Sequence, residues 1–546
     1  FGVSIMEYMG RMNIGFSSFV STGNSADITS DALIAHWARD PSTSIIAAYM
    51  ESFGDPRMFL QAARGTTKHK PIIVVKSGRT PAGQRAASSH TGALAGTDTV
   101  IDAFLHQCGV IRSNSISEMQ SLVAAFSRCH LPKGNRVAIL TNSGGPGIMA
   151  TDSLIAGGME MARFEEETLA QLRGMMPTEA AIAANPVDFT ASGVPGTYRD
   201  VLSLLLDDPN VDIVIPIFVP PLMVTPADVA RAITEALRSH NTKEGPGGHV
   251  KPVFGVIMAE ESSYQMVYGE LPDCPPIYPF TEMAAGACIE MHRYAEWQRR
   301  PEGTIHRFTA RTDEARAILR SHRKAGRVQI PAADGMRILA CYGLPTTATQ
   351  EVETVGEALE SAREIGYPVS LKAAGRKLAH KSDTGAVMLG IRNDAELRDA
   401  CVQVQGAIER AGHGPGDEAW VVQGMVKPGR EVILGASVDP IMGPSITFGT
   451  GGKYVEILRD VVTRIPPITD LDAEEMVRSV RGHALLSGVR GEEAVALGFL
   501  GKCLMRFSQM VLELDEITQV DLNPFILHPN PSECAIVDAR IWVGSS

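Results

Sequence analysis

Val137-Ala-Ile-Leu140 followed by Thr141-Asn-Ser-Gly-Gly-Pro-Gly147 is a short apolar strand running into a glycine-rich turn, with helical periodicity beginning near Ile148. Strand, glycine turn and helix in that order make the repeating unit of parallel α/β sheets. Two parallel neighbours can be joined only by a crossover, and the crossover is usually a helix. The same alternation extends in both directions. Upstream, Ser44-Ile-Ile-Ala-Ala-Tyr-Met50 and Pro71-Ile-Ile-Val-Val75 read as buried strands with a helix over residues 55–64 between them. Downstream, Val211-Asp-Ile-Val-Ile-Pro-Ile217 and Val253-Phe-Gly-Val-Ile257 repeat the pattern. Short β-branched runs separated by amphipathic helices predict an α/β architecture throughout.

A chain of 546 residues exceeds the roughly 100–200 of one domain, so several cores are expected. The stretch Leu131-Pro-Lys-Gly-Asn-Arg136 marks one boundary and the Arg-rich run after Pro301 another. The expected division is 1–129, 130–300, a linker over 301–330 with helical character around 313–322, and 331–546. The last region opens with a helix over 332–341, and strand signals come after it at 368–372, 386–390, 419–423 and 430–435. Fifty basic against 62 acidic residues give a net charge of −12, which argues against a nucleic-acid partner held by a broad positive surface. The eight cysteines show no zinc-site spacing and read as reduced thiols of a cytoplasmic protein. No apolar run approaches the 18–20 or so residues of a membrane span, so no membrane partner is expected. Phe1–Gly10 already reads as a helix, and the expectation is a chain that begins inside a domain.

Three constellations suggest chemistry. In Lys76-Ser-Gly-Arg-Thr80 through Ser88-Ser-His-Thr-Gly-Ala-Leu-Ala-Gly96, a strand end leads into small residues that hold His90 on adaptable backbone. A neutral imidazole is a competent nucleophile toward a phosphoryl group, although a loop histidine is by itself equally an ordinary surface residue. Ser143, Gly144, Gly145 and Gly147 form a helix entrance whose N–H groups favour an anion, or simply a tight βα turn. In the last region Lys372 closes a strand, Asp521-Leu-Asn-Pro524 and Asp538 offer oxygen donors suited to Mg2+, and Phe448-Gly-Thr-Gly-Gly-Lys453 is a glycine loop able to cover phosphates. Each acidic residue alone is also readable as a solvated strand end.

Together, Ser88–Gly96, Thr141–Gly147, His380-Lys-Ser-Asp383 and Asp521–Pro524 resemble the NDP-forming acyl-CoA synthetases, of the ADP-forming acetate–CoA ligase type and related to succinyl-CoA synthetase. The resemblance runs the full length. It implies two flavodoxin-like domains followed by an ATP-grasp domain, and a preceding CoA-binding domain outside this sequence, which would leave the stretch inactive by itself. It further implies that His90 is phosphorylated, that Glu51 orients its imidazole, and that the turn at Ser143–Gly147 receives the phosphohistidine. Lys372 and Glu431 correspond to nucleotide-site residues, and Gln423, Gly424, Met425 and Val426 to the hinge whose backbone meets adenine. Asn523 and Asp538 correspond to Mg2+ ligands, Asp521 to the carboxylate facing the histidine during transfer, and His380 to a second phosphoryl carrier or to a loop that only gates the nucleotide. Cofactors are then ATP/ADP and Mg2+, with CoA and a small carboxylic acid as co-substrates and a homo-oligomer as the assembly. The alternative is a ligase-like sensor region fused to a protein-lysine acetyltransferase. The acid itself is not legible in these motifs.

Overall fold

The computed structural model describes residues 2–23, 25, 27–80, 82, 98–176, 182–221, 223–244, 250–374, 386–410, 419–451, 460–489 and 491–544. By contact the chain divides into two units, Phe1–Ala95 with Leu105–Pro301, and Gly96–Phe104 with Glu302–Ser546. His90 and His380 lie outside the described residues.

The first unit contains two parallel sheets. One has the order β1 (Ile46–Met50), β2 (Ile72–Lys76), β3 (Ile111–Ser113). The other has the path β5 (Glu160–Met161), β4 (Arg136–Thr141), β7 (Ile213–Phe218), β8 (Gly255–Ile257), β9 (Ile277–Tyr278), with β6 (Val187–Asp188) also paired to β4. Strands β2 and β7 are buried along their whole length, which is why they read as continuous apolar runs; helices cover both faces of such a sheet. Asp55 caps the helix Pro56–Thr67 by accepting from the N–H groups of Arg57 and Met58, with proline at the first helical position, where its missing N–H costs nothing.

The glycine turn after β4 differs from the sequence reading. The helix spans Gly144–Ala156, so Ser143 is its N-cap and Gly144, Gly145, Pro146 and Gly147 are its first turn rather than a loop ahead of it. Gly147 packs closely on the strand: a Cβ there would stand 3.3 Å from the Thr141 methyl, a tight contact.

The second unit holds two antiparallel sheets. The smaller has the order β11 (Thr349–Val352), β14 (Trp420–Gly424), β12 (Val369–Ala373), β13 (Val387–Ile391). The larger runs β10 (Gln329–Ile330), β20 (Ala539–Val543), β18 (Ile517–Leu527), β15 (Arg430–Asp439), β16 (Gly443–Thr450), β17 (Val461–Arg464), with β19 (Ala535–Ile536) beside β18. The expected linker contains the helix Thr312–Lys324, whose Ala315, Ile318 and Leu319 join the same core as Ile330, Leu339 and Leu434. It is packed structure rather than a spacer. Phe448, Gly449 and Thr450, read from the sequence as loop, are instead the end of β16. All three pair with β15, and Phe448 and Gly449 pair with β17 as well.

Candidate active site

The C-terminal edge of a parallel sheet is where open α/β folds bind ligands. At that edge of the first sheet Met50 stands opposite Lys76, and the Ser77 N–H donates to the Met50 carbonyl at 3.1 Å. Glu51 therefore sits one strand across from the start of the segment that leads to His90. Its Oε2 is buried and has no hydrogen-bond partner among the described residues, a placement that costs stability unless something pairs with it. Lys76, 4% exposed, lies at the same edge with its Nζ donating to the Ser77 carbonyl at 2.6 Å. The sequence reading used Lys76 only to end a strand; a lysine terminating an all-apolar strand was the available signal.

In the second parallel sheet Ser143 makes no side-chain cap bond to the helix it begins. Its N–H is taken by Thr141 Oγ1 at 3.0 Å, and that hydroxyl donates back to the Ser143 carbonyl at 2.8 Å. Gly144 and Gly145 are exposed, and space around a Cβ at Gly145 is open to 4 Å. Backbone donors with the helix dipole behind them thus face outward from a rigid strand end, a geometry that binds anions. Asp188, at the end of β6, lies beside Gly144: its Oδ2 is 3.2 Å from where a Cβ there would stand.

The second unit places Lys372, Gln423 and Asp538 around one pocket, together with Ala332, Met336, Thr349, Ala373, Val421 and Val537. Lys372 Nζ donates to Gln423 Oε1 at 2.6 Å. Asp521 stands opposite Arg540 in the β18–β20 register, and Arg540 Nε is 3.8 Å from Asp538 Oδ2. Burial raises the Asp521 carboxyl above the ordinary aspartate range; Arg540 opposes this, and the charge of Asp538 adds to it. Asn523 lies two residues along the same strand and is exposed. The Val537 N–H donates to the Pro524 carbonyl at 3.0 Å, tying the Asn523 and Asp538 segments together. Among the described residues no group of three or more His, Cys, Asp or Glu could hold a metal ion. Asp521 and Asn523 stand mid-strand on β18 rather than at the strand end read from the sequence, and Asp538 lies just ahead of β20; two carboxylates and an amide oxygen are nevertheless hard-oxygen donors. They fit Mg2+, which takes few protein ligands and completes its shell with water and phosphate.

Two groups of residues assigned from the sequence lie apart from this pocket. The hinge strand ends at Gly424, so Met425 and Val426 lie beyond it. The Gly424 N–H donates to Ala348 O at 3.0 Å and the Met425 N–H to Pro368 O at 3.2 Å, so neither is open to a base; Val426 is the member of the four whose N–H carries no hydrogen bond among the described residues. Glu431 is not part of the pocket around Lys372. It is exposed on β15, in the other sheet, where its carbonyl accepts from the Gly451 N–H at 2.8 Å.

Known proteins share this organisation. Residues 1–126 match a succinyl-CoA ligase like flavodoxin domain, 137–269 a ligase-CoA domain and 321–543 an ATP-grasp domain. The 4-hydroxybutyrate–CoA ligase (ADP-forming) of Nitrosopumilus maritimus is 32% identical over 540 residues, 98% of this chain and 76% of that protein. The acetate–CoA ligase (ADP-forming) I of Archaeoglobus fulgidus is 33% identical over 544 residues, 100% of this chain and 76% of that protein. Among solved structures, Ca. Korarchaeum cryptofilum dinucleotide forming acetyl-coenzyme A synthetase 1 in complex with phosphate and ADP is similar with a TM-score of 0.50 and 31% identity, over 55% of this chain and 63% of that one. Two flavodoxin-like domains of the succinyl-CoA ligase kind followed by an ATP-grasp domain, in the order of these ADP-forming ligases, establish that the chain belongs to the NDP-forming acyl-CoA synthetase family.

Proposed function

We propose that the chain catalyses, or supplies the phosphoryl-transfer half of, the reaction acid + CoA + ATP ⇌ acyl-CoA + ADP + phosphate, with His90 as covalent carrier. The observation that carries the reading is the buried carboxylate oxygen of Glu51, unpartnered among the described residues, at the sheet edge beside Ser77, where the chain leaves the strand toward His90. A carboxylate accepting from one imidazole nitrogen fixes the tautomer that leaves the other nitrogen free to attack.

In this account the His90 imidazole attacks the γ-phosphorus of ATP and ADP leaves. The carboxylate of the acid then takes the phosphoryl group to give an acyl phosphate, and the CoA thiol displaces phosphate from it. Lys372 and the helix entrance at Ser143–Gly145 stabilise charge on the moving phosphoryl oxygens, which is where such reactions gain most of their rate. Asn523 and Asp538 would hold Mg2+, which supplies charge neutralisation at the nucleotide phosphates. Asp521 faces the histidine during transfer, His380 serves as second carrier, Val426 offers its N–H to the adenine, and Glu431 contributes from β15. The enzyme is proposed to be cytoplasmic and homo-oligomeric; its eight cysteines are all free thiols, and no described helix is long and apolar enough to cross a membrane. The acetyltransferase-sensor alternative draws no support from the relatives, which are ligases.

The test is isotope exchange between ADP and ATP catalysed by this chain. A phosphohistidine intermediate requires exchange with neither acid nor CoA present, abolished in the double variant His90→Ala with His380→Ala. Exchange that survives the double variant, or acid- and CoA-dependent phosphate release that survives His90→Ala, would overturn the proposal. A panel of carboxylic acids, read as acid- and CoA-dependent phosphate release, then identifies the substrate.

A further inference from the structure

Gln423 is 2% exposed, an amide in a strand otherwise made of Trp420, Val421, Val422 and Gly424. Burying an amide is unfavourable unless its donors and acceptor are paired, and here they are. The oxygen accepts from Lys372 Nζ at 2.6 Å. The nitrogen is 2.6 Å from Thr347 Oγ1, 3.0 Å from Thr349 Oγ1 and 2.9 Å from the Val537 carbonyl oxygen. Chemistry fixes the orientation of the amide. An ammonium only donates and a carbonyl only accepts, so the oxygen must face Lys372 and the nitrogen Val537. Thr349 Oγ1 spends its hydrogen on the Thr347 carbonyl at 3.0 Å, which leaves its lone pairs for the amide. One side chain thus joins β11, β12 and the segment immediately before Asp538.

We propose that Gln423 is a positioning residue for phosphate recognition: it fixes the ammonium of Lys372 and, through the Val537 carbonyl, the backbone beside Asp538, so that cation and carboxylate meet a nucleotide's phosphates at one spacing. The inference rests on the reading of this pocket as a nucleotide site. Lysine is a point charge on a flexible four-carbon stem with three donors. Holding one donor removes rotamer freedom that binding would otherwise have to remove. A neutral amide suits the task better than a carboxylate. Glutamate at 423 would pair with the ammonium and cancel the charge it presents to phosphate, and would lose the donor to Val537.

The test measures binding of ADP with Mg2+ by calorimetry, and of adenosine by saturation-transfer NMR, to the whole chain and to Gln423→Leu and Gln423→Glu. Both variants should weaken ADP by at least about tenfold, as expected for loss of a hydrogen bond to a charged group, while adenosine, which has no phosphate, changes by less than about twofold. Equal weakening of both ligands would overturn the proposal, since the amide would then merely support the pocket; so would unchanged ADP affinity in either variant. Wild-type chain that binds ADP no better than adenosine would overturn the nucleotide-site reading itself, and this inference with it. Should Gln423→Leu fail to fold, the isosteric Gln423→Glu carries the comparison. Thr349→Val provides a third arm: Thr347 and the Val537 carbonyl remain for the two amide hydrogens, so ADP affinity should change by less than about twofold, and a loss as large as that of Gln423→Leu overturns the network as drawn.

Discussion

Replacing Glu51 by glutamine or methionine should make the protein more stable and its phosphoryl chemistry worse. Glu51 Oε2 is buried without a partner among the described residues, and a buried polar atom left unpaired costs about 1–3 kcal/mol. Methionine has a similar length, fills the same space and places no polar atom there. Glu51→Met should therefore raise the unfolding free energy of the unit that contains it by about 1–2 kcal/mol, at the lower end because the residue is only partly buried. For a domain of this size that is a rise of about 2–8 °C in unfolding midpoint. Glu51→Gln keeps the shape and removes the charge, so its gain should be smaller. The assay pairs thermal unfolding with ADP–ATP exchange by the same preparations. Exchange should fall at least about a hundredfold in both variants, the usual scale for losing an acid–base or orienting partner in catalysis. A Glu51→Met that exchanges at the wild-type rate would refute the reasoning, because the carboxylate would then have no role in orienting the imidazole; a destabilised one would refute the stability argument alone and point to a partner outside the described residues, His90 first among them.

The geometry sets three further outcomes. Asp212 accepts from Arg136 Nε at 2.8 Å, Nη2 at 2.9 Å and the Arg136 N–H at 3.1 Å, so Asp212→Ala should cost about 1–3 kcal/mol by leaving Nε and the backbone donor unpaired, while Asn210 and Pro209 keep the rest of the guanidinium bonded. Burial raises the Asp212 carboxyl, the Arg136 bonds lower it more, and it ends below the ordinary range; its stabilisation is thus present above the unfolded value near about 4 and lost as pH falls through the folded one, and urea titrations should show the gap between wild type and variant closing below that pH. Gly451→Ala should weaken ADP binding and cost about 1–3 kcal/mol, because a Cβ would stand 2.6 Å from the Glu431 carbonyl carbon and 2.7 Å from its oxygen; calorimetry and thermal unfolding check both. The thiols of Cys108 and Cys129 are pushed up to about 12 by burial, so mass spectrometry of native protein exposed to iodoacetamide at pH 8 should find neither alkylated, and both alkylated after denaturation.

The parts of this fold that were legible in the sequence are those written in local periodicity. The helix Ala332–Cys341 and the strands at Ile72–Lys76 and Ile213–Phe218 come from runs whose apolar pattern is unambiguous. The start of the helix Gly144–Ala156 was misplaced because glycines and a proline are poor helix formers; at a helix's first turn that objection lapses, since its N–H groups have no intrahelical partners to lose. The helix Thr312–Lys324 was visible as a helix but assigned to a linker, because its charge conceals a narrow apolar stripe of Ala315, Ile318 and Leu319. At the site, Asp521 lies inside β18, whereas single strand-end residues such as Glu51, Lys372 and Asp538 were legible by position. The anchoring of Lys372 by Gln423 was not, since its other partners are Thr347, Thr349 and Val537, up to 114 positions away in sequence and brought near only by the two sheets of the second unit. A glutamine inside Trp-Val-Val-Gln-Gly was the one local hint that something had to satisfy it.

Passage of the phosphoryl group through His90 is tested most directly by covalent labelling. The chain is incubated with γ-labelled ATP and Mg2+, without acid or CoA, digested, and its labelled peptides are sequenced by mass spectrometry. The expected result is acid-labile, base-stable label on the peptide containing His90, lost in His90→Ala and discharged by added ADP. Unlabelled wild-type protein, with acid- and CoA-dependent phosphate release persisting in His90→Ala, would contradict it.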